Sequence, residues 1–208
     1  MSQNFPNLPE QVPQRGSNCS RAFFKKLYLA QGWRLDGEFP NLPKAVAIIS
    51  PHTSNFDALY AFLAMLGVGV RVTILGKASL FNTPFSAVFK WIGVIPVQRD
   101  SPHGLTQQVV NIIHAHDKIW IALAPEGTRK SATKMKSGFY HIALNAQIPI
   151  VMFAFDYDHK IIRCLGVVQP SGNYATDLAE ILSHYDGQFS PKILSRLAQP
   201  LQKLFKKR

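Results

Sequence analysis

Five short apolar runs, at 45–49, 71–75, 94–97, 119–122 and 148–155, alternate with segments of helical length at 55–67, 84–92, 103–116 and 137–146. That alternation constrains the fold more than any other feature of the chain. The runs are rich in Val, Ile and Ala and show little polar alternation, as expected of strands in a sheet buried on both faces. The sequence therefore predicts an α/β fold, a single domain whose mainly parallel central sheet is covered by helices on both faces. A closing hairpin is expected over 150–168, with its turn at 156–160, and 176–208 reads as helical with a break near Gly187 and Pro191.

With 208 residues, 47% hydrophobic and 17% charged, the chain can build one such core. Residues 1–16 contain three prolines and several Asn and Gln, and read as a flexible arm. Residues 17–32 read as an amphipathic, membrane-associating helix, and 33–208 as the domain proper. Cys19 and Cys164 stand far apart with no metal-ligand spacing, which suggests a reducing compartment and neither a disulfide framework nor zinc.

Twenty-three Lys and Arg against 12 Asp and Glu leave a net charge of +11, so an anionic partner is expected. The excess is concentrated at both ends, in Arg15, Arg21, Lys25, Lys26 and Arg34, and in Lys203, Lys206, Lys207 and Arg208. Phe23, Phe24, Leu27, Leu201, Leu204 and Phe205 are interleaved with these charges, a pattern that suits an anionic membrane surface. Nucleic acid is the competing reading, but no zinc-finger spacing or RNP-like aromatic run supports it. The apolar stretch 58–70, bounded by Asp57 and Arg71, falls short of the ~20 residues that span a bilayer. The N-terminus has neither a basic start nor an apolar stretch, so the protein is expected inside the cell.

Three constellations carry chemistry. Ser50-Pro51-His52-Thr53-Ser54-Asn55-Phe56-Asp57 follows one apolar run and opens a helix, at the carboxyl edge where open α/β sheets bind ligands. Within one helix His52 and Asp57 would lie ~140° apart and could not meet. With His52 in the turn and Thr53, Ser54 or Asn55 as the N-cap, Asp57 falls in the first helical turn and can reach back. It would then fix the imidazole tautomer of a general base. Local capping also accounts for the same residue types.

The second constellation, Ala124-Pro125-Glu126-Gly127-Thr128-Arg129, again follows an apolar run and leads into Lys130, Lys134 and Lys136. A permissive glycine, a hydroxyl and a guanidinium suit an anion cradle there, and a solvated loop with an ordinary surface Arg has the same composition. The third places Arg99 just past the run at 94–97, at the same sheet edge or in a surface pair with Asp100.

Taken in order, His52-x4-Asp57, Ile95-Pro96-Val97-x-Arg99, Pro125-Glu126-Gly127-Thr128-Arg129 and Ile148-Pro149-Ile150-Val151 resemble the motifs of the glycerolipid acyltransferase family, which includes 1-acylglycerol-3-phosphate acyltransferases. The resemblance spans about residues 33–155. It implies that His52 is the general base, Asp57 its partner, and Arg99, Glu126, Gly127, Thr128 and Arg129 the binding site for an acceptor's phosphate. Lys77 joins them by matching the family's second block, together with Leu80. Ser79 stands in that block where an acid is usual, Ala87 where glycine is common, Pro51 in place of Asn, and Met152 in place of Pro.

The reaction so implied moves a fatty acyl group from a thioester, of acyl-CoA or acyl carrier protein, to the hydroxyl of a lysophosphatidic acid-like acceptor in phospholipid biosynthesis. No cofactor beyond that co-substrate is implied, and the location is peripheral, on the cytoplasmic face of the membrane. Amides at the start of the helix at 55–67 would stabilise the oxyanion. A lipid hydrolase is the nearest rival, but there is no G-x-S-x-G elbow. His114, His116 and Asp117 lack a third metal ligand. Phe81, Phe85, Phe89 and Trp91 suit either core packing or an acyl groove.

Overall fold

A computed structural model describes residues 5–98 and 104–205. In chain order the elements are α1 (Asn18–Ala30), β1 (Arg34–Asp36), β2 (Lys44–Ser50), α2 (Asn55–Val68), β3 (Val72–Lys77), α3 (Ser86–Ile92), β4 (Val94–Val97), α4 (Gly104–His114), β5 (Ile119–Leu123), α5 (Gly138–Ala146), β6 (Ile150–Asp156), β7 (Ile161–Val168), α6 (Tyr174–Tyr185) and α7 (Gln199–Phe205). Short 3-10 turns occupy Ala78–Asn82 and Leu194–Arg196. The seven strands form one sheet in the order β1-β7-β6-β2-β5-β3-β4. Five of them run parallel, and the expected hairpin is the antiparallel β6–β7 pair. Strand β1 adds to β7 in parallel; its three residues, Arg34-Leu35-Asp36, are too short and too polar to stand out in the sequence.

Alternate residues of each central strand enter opposite cores. Val46 and Ile48 of β2, with Ile121, Ile150 and Met152, face α4, α5 and α6. Ala45 and Ala47, with Trp120, Val151 and Phe155, face α1 and α2. Helices therefore cover both faces, as the unalternating apolar runs require.

The described part of the arm packs against the rest of the fold. Val12 is 1% exposed and joins Tyr28 and Trp33 in the second core. Phe5 meets Tyr28 edge-on, and Gln14 bridges Val70. The described part of the arm is docked because its few apolar side chains complete the core under α1. Composition suggested flexibility, but two well-placed apolar residues outweigh the polar ones.

Trp33, 2% exposed, stacks on Tyr60 of α2 at 4.3 Å and meets Tyr157, just past β6, edge-on at 5.0 Å. It thus ties α2 to the end of β6. Trp33→Ala is expected to lower unfolding free energy by ~3–5 kcal/mol, the cost of deleting a buried aromatic side chain, measured by urea denaturation. Leu194→Ala, at a position 57% exposed, should stay within ~0.5 kcal/mol of the parent.

Candidate active site

The site is assembled at the carboxyl ends of three neighbouring strands. Strand β2 lies between β5 and β6, so the segments that follow these strands converge: Ser50–Asp57 in the centre, Glu126–Arg129 on one side and Tyr157 on the other. The Ser50–Pro51 peptide bond is cis. Ser54 caps α2, its Oγ accepting from the Phe56 amide at 3.2 Å, and Asp57 completes a capping box.

Asp57 is 1% exposed and nevertheless fully partnered. Its Oδ2 accepts from the Thr53 and Ser54 amides, both at 2.7 Å, and lies 3.2 Å from His52 Nδ1. Its Oδ1 accepts from the Tyr157 hydroxyl. The reach back from the first helical turn is thus realised, and His52 stands outside the helix as the pairing requires. Burial, then the adjacent Asp57 carboxylate, holds the Tyr157 phenol well above its ordinary pKa, so it remains a donor.

On the other ring nitrogen, Arg129 Nε donates to His52 Nε2 at 3.2 Å. The two contacts select one tautomer: Nδ1 carries the proton toward Asp57 and Nε2 keeps a lone pair. The imidazole therefore sits between a buried carboxylate and an exposed guanidinium, with 17% of its own side chain accessible.

Glu126 is 3% exposed, and its Oε1 accepts from the Ser50 hydroxyl and from the His52 amide at 3.1 Å. It is thus a strut beneath the turn, and Arg129 is the exposed cation of this loop that touches His52. Burial raises the Glu126 carboxyl above its ordinary value of 4.5, against the opposing pull of the Ser50 hydroxyl and the His52 amide. Its Oε2 has no partner among the described residues.

Gly127 adopts φ +64° and is exposed, with the stem of Lys136 close against its Cα. The Thr128 hydroxyl accepts from the Lys130 amide at 3.2 Å. Lys77 is exposed at the end of β3, one strand beyond β5. Arg99 lies outside the described residues. The helix-start amides expected to meet an oxyanion are engaged within the protein at Thr53, Ser54, Phe56 and Asp57.

Sequence reasoning missed the supports that lie far away in the chain. Tyr157 is 100 residues from Asp57 and carries no local signal. The segment after α6 also braces the turn: the Ile193 amide donates to Thr53 Oγ1 and Arg196 Nη1 to the Thr53 carbonyl, both at 3.3 Å. Lys192 Nζ lies 3.5 Å from the centre of the Phe56 ring. Among the described residues no group of three or more His, Cys, Asp or Glu could hold a metal ion. Phe85 and Trp91 are exposed, which excludes them as core residues.

No curated protein matches the sequence. The fold is similar to the crystal structure of the 1-acyl-sn-glycerophosphate (LPA) acyltransferase PlsC from Thermotoga maritima, with a TM-score of 0.53 over 77% of this chain and 72% of that one, at 15% identity. The family model described as Acyltransferase matches residues 37–156, more than half of the chain, and encloses both the His52–Asp57 turn and the Glu126–Arg129 loop. With that match and this geometry, the chain belongs to the acyltransferase family.

Proposed function

We propose that the protein transfers a fatty acyl group from an acyl thioester to the free hydroxyl of a lysophosphatidic acid-like acceptor. The observation that carries this reading is the position of His52, with Nδ1 at 3.2 Å from Asp57 and Nε2 at 3.2 Å from Arg129. A base and a phosphate-binding cation so close suit a substrate whose hydroxyl and phosphate are joined by a short glycerol backbone.

The acceptor's phosphate draws the exposed Arg129 guanidinium into bidentate contact, with Lys130, Lys134 and Lys136 adding positive field. Lys77, at the end of β3, extends this site, Gly127 and Thr128 shape its floor, and Arg99 is a further phosphate contact on the strength of its sequence motif. The acceptor hydroxyl then takes the place of Arg129 at Nε2. As its oxygen attacks the thioester carbonyl carbon, its proton passes to Nε2; the C–O bond forms, the C–S bond breaks, and the imidazolium returns the proton to the departing thiolate. Asp57 stabilises the imidazolium throughout. No acyl-enzyme is formed, and either coenzyme A or acyl carrier protein serves this chemistry as the thiol.

An all-apolar cavity of about 90 Å³ behind α2, lined by Ala47, Ile49, Ala61, Met65, Ala122 and Phe153, suits the methylenes of the acyl chain. Among the described residues no helix is long and apolar enough to cross a membrane. Helix α1 exposes Phe23 and Leu27 beside Lys26, which supports peripheral binding to an anionic membrane, at its cytoplasmic face.

Purified protein, a labelled acyl thioester and a panel of lyso-lipid acceptors on anionic vesicles test the reading. His52→Ala should lower kcat by at least ~100-fold while acceptor binding persists. Arg129→Ala should chiefly raise the acceptor KM. Small, equal effects from the two would end the assignment.

Glu126 generates a pH prediction. Its folded pKa lies above the unfolded value, so its contribution to stability is full below that value and is lost as pH rises through the folded one. Denaturant midpoints from about pH 4 to about pH 8 should therefore fall for the parent relative to Glu126→Gln. Parallel profiles would show that Glu126 titrates normally.

A further inference from the structure

The amino-terminal edge of the sheet, opposite the catalytic turn, carries a second concentration of charge. Two adjoining concavities of about 350 and 460 Å³ share Arg71, Lys90 and Gly93. One is also lined by His116 and Lys118, the other by Arg15 and Trp91. Their volumes fall within the ~300–1,000 Å³ of small-ligand sites. No Asp or Glu lines either of them among the described residues. Arg163 is the contrast, since both of its ion pairs are with carboxylates.

The cations here are placed by the backbone. The Arg15 amide donates to the Gly69 carbonyl and the Arg71 amide to the Pro13 carbonyl, both at 2.8 Å, on either side of the Gln14–Val70 bridge. Residues flanking one bridged pair project to the same face, so the two arginine side chains leave on one side. Arg15 is then fixed by bonds to the Trp91 and Ile92 carbonyls at 2.8 and 3.1 Å, with its guanidinium 5.1 Å from the centre of the Trp91 ring. Further donors of its five N–H groups remain. Lys118 is oriented by the Glu10 carbonyl at 2.9 Å. Burial, then the charge of Arg71, lowers the Arg15 pKa.

We propose that this notch, built by Arg15, Arg71, Lys90 and Lys118, binds a phosphate-bearing anion at a site separate from the catalytic one. A doubly charged, multidentate oxyanion relieves the repulsion and matches the guanidinium forks. Strand β5 separates the notch from the Glu126–Arg129 loop, a span of ~15–20 Å, so one phosphate cannot serve both sites. The ligand's source is either a free phosphate compound or the headgroup of an anionic lipid.

Trp91 is the reporter, being 56% exposed while Trp33 and Trp120 are 2% and 0% exposed. Its fluorescence in the full chain is titrated with inorganic diphosphate, with sn-glycerol 3-phosphate, and with phosphatidylcholine vesicles with and without phosphatidylglycerol. Saturation by a soluble probe assigns a free phosphate, and saturation by phosphatidylglycerol vesicles alone assigns a headgroup; either supports the site. Arg71→Ala/Lys90→Ala should weaken the saturating probe at least ~10-fold, as expected from removing charge-assisted contacts, while Arg129→Ala leaves its affinity unchanged. Lys90→Gln, an exposed single change, serves the same purpose if the double variant unfolds. Absence of saturation by every probe would overturn the proposal. So would equal response to vesicles with and without phosphatidylglycerol, unchanged affinity in the folded notch variant, or equal loss in Arg129→Ala.

Discussion

Asp57 places a carboxylate where 1% of its surface meets water, and the shape of the site follows from how that group is accommodated. A buried carboxylate is tolerated only when its lone pairs are met by donors. Here the donors are the Thr53 and Ser54 amides, His52 Nδ1 and the Tyr157 hydroxyl. Three of them belong to the turn itself, so the chain between β2 and α2 must wrap around the carboxylate to supply them. The positive end of α2 adds to the same preference. The conformation that satisfies Asp57 is the one that leaves His52 at the mouth with Nε2 outward.

The surrounding sheet order makes this arrangement rigid. Strand β6 delivers Tyr157 from one side and β5 delivers Glu126 from the other, where it holds Ser50 and the His52 amide. Trp33 packs behind Tyr157, and the segment at 193–196 holds Thr53. These are fixed contacts to backbone or to buried groups. The cations are held differently, since Arg129, Lys130 and Lys136 are exposed and make few bonds. The imidazole is thus fixed by its surroundings while the cations stand in solvent.

What was legible in the sequence was what repeats or clusters. Apolar runs gave the sheet, and the turn between 49 and 55 gave the His52–Asp57 pairing, because local chain geometry alone decides whether those side chains can meet. Residues whose roles depend on sheet order were hidden. Tyr157 and Arg196 reach the turn from 100 and 143 residues away, and nothing near them in the chain marks it. Glu126 was placed among the phosphate contacts because the motif it belongs to implies it. The burial that makes it a strut arises from the neighbouring β2, which local composition does not describe. The docking of residues 5–16 was hidden for a similar reason: Phe5 and Val12 find partners only once α1 and the sheet are assembled.

The two acids and the cations of the site are separated by depth, which bears on how an anionic substrate approaches. Asp57 and Glu126 are 1% and 3% exposed and lie beneath the turn, whereas Arg129, Lys130, Lys134 and Lys136 stand in solvent. The field outside is therefore positive although the imidazole rests on a carboxylate. With screening over ~8–10 Å at ordinary ionic strength, a phosphate at the surface interacts first with the exposed cations. Once it binds, water is displaced and the attraction within the cleft strengthens. His52 stands at the boundary between the two layers, so in the proposed reaction the proton it receives would move toward the buried negative charge while the acceptor's own negative charge stays with the guanidinium. On that proposal one imidazole acts as a base toward an anionic substrate without Asp57 repelling it.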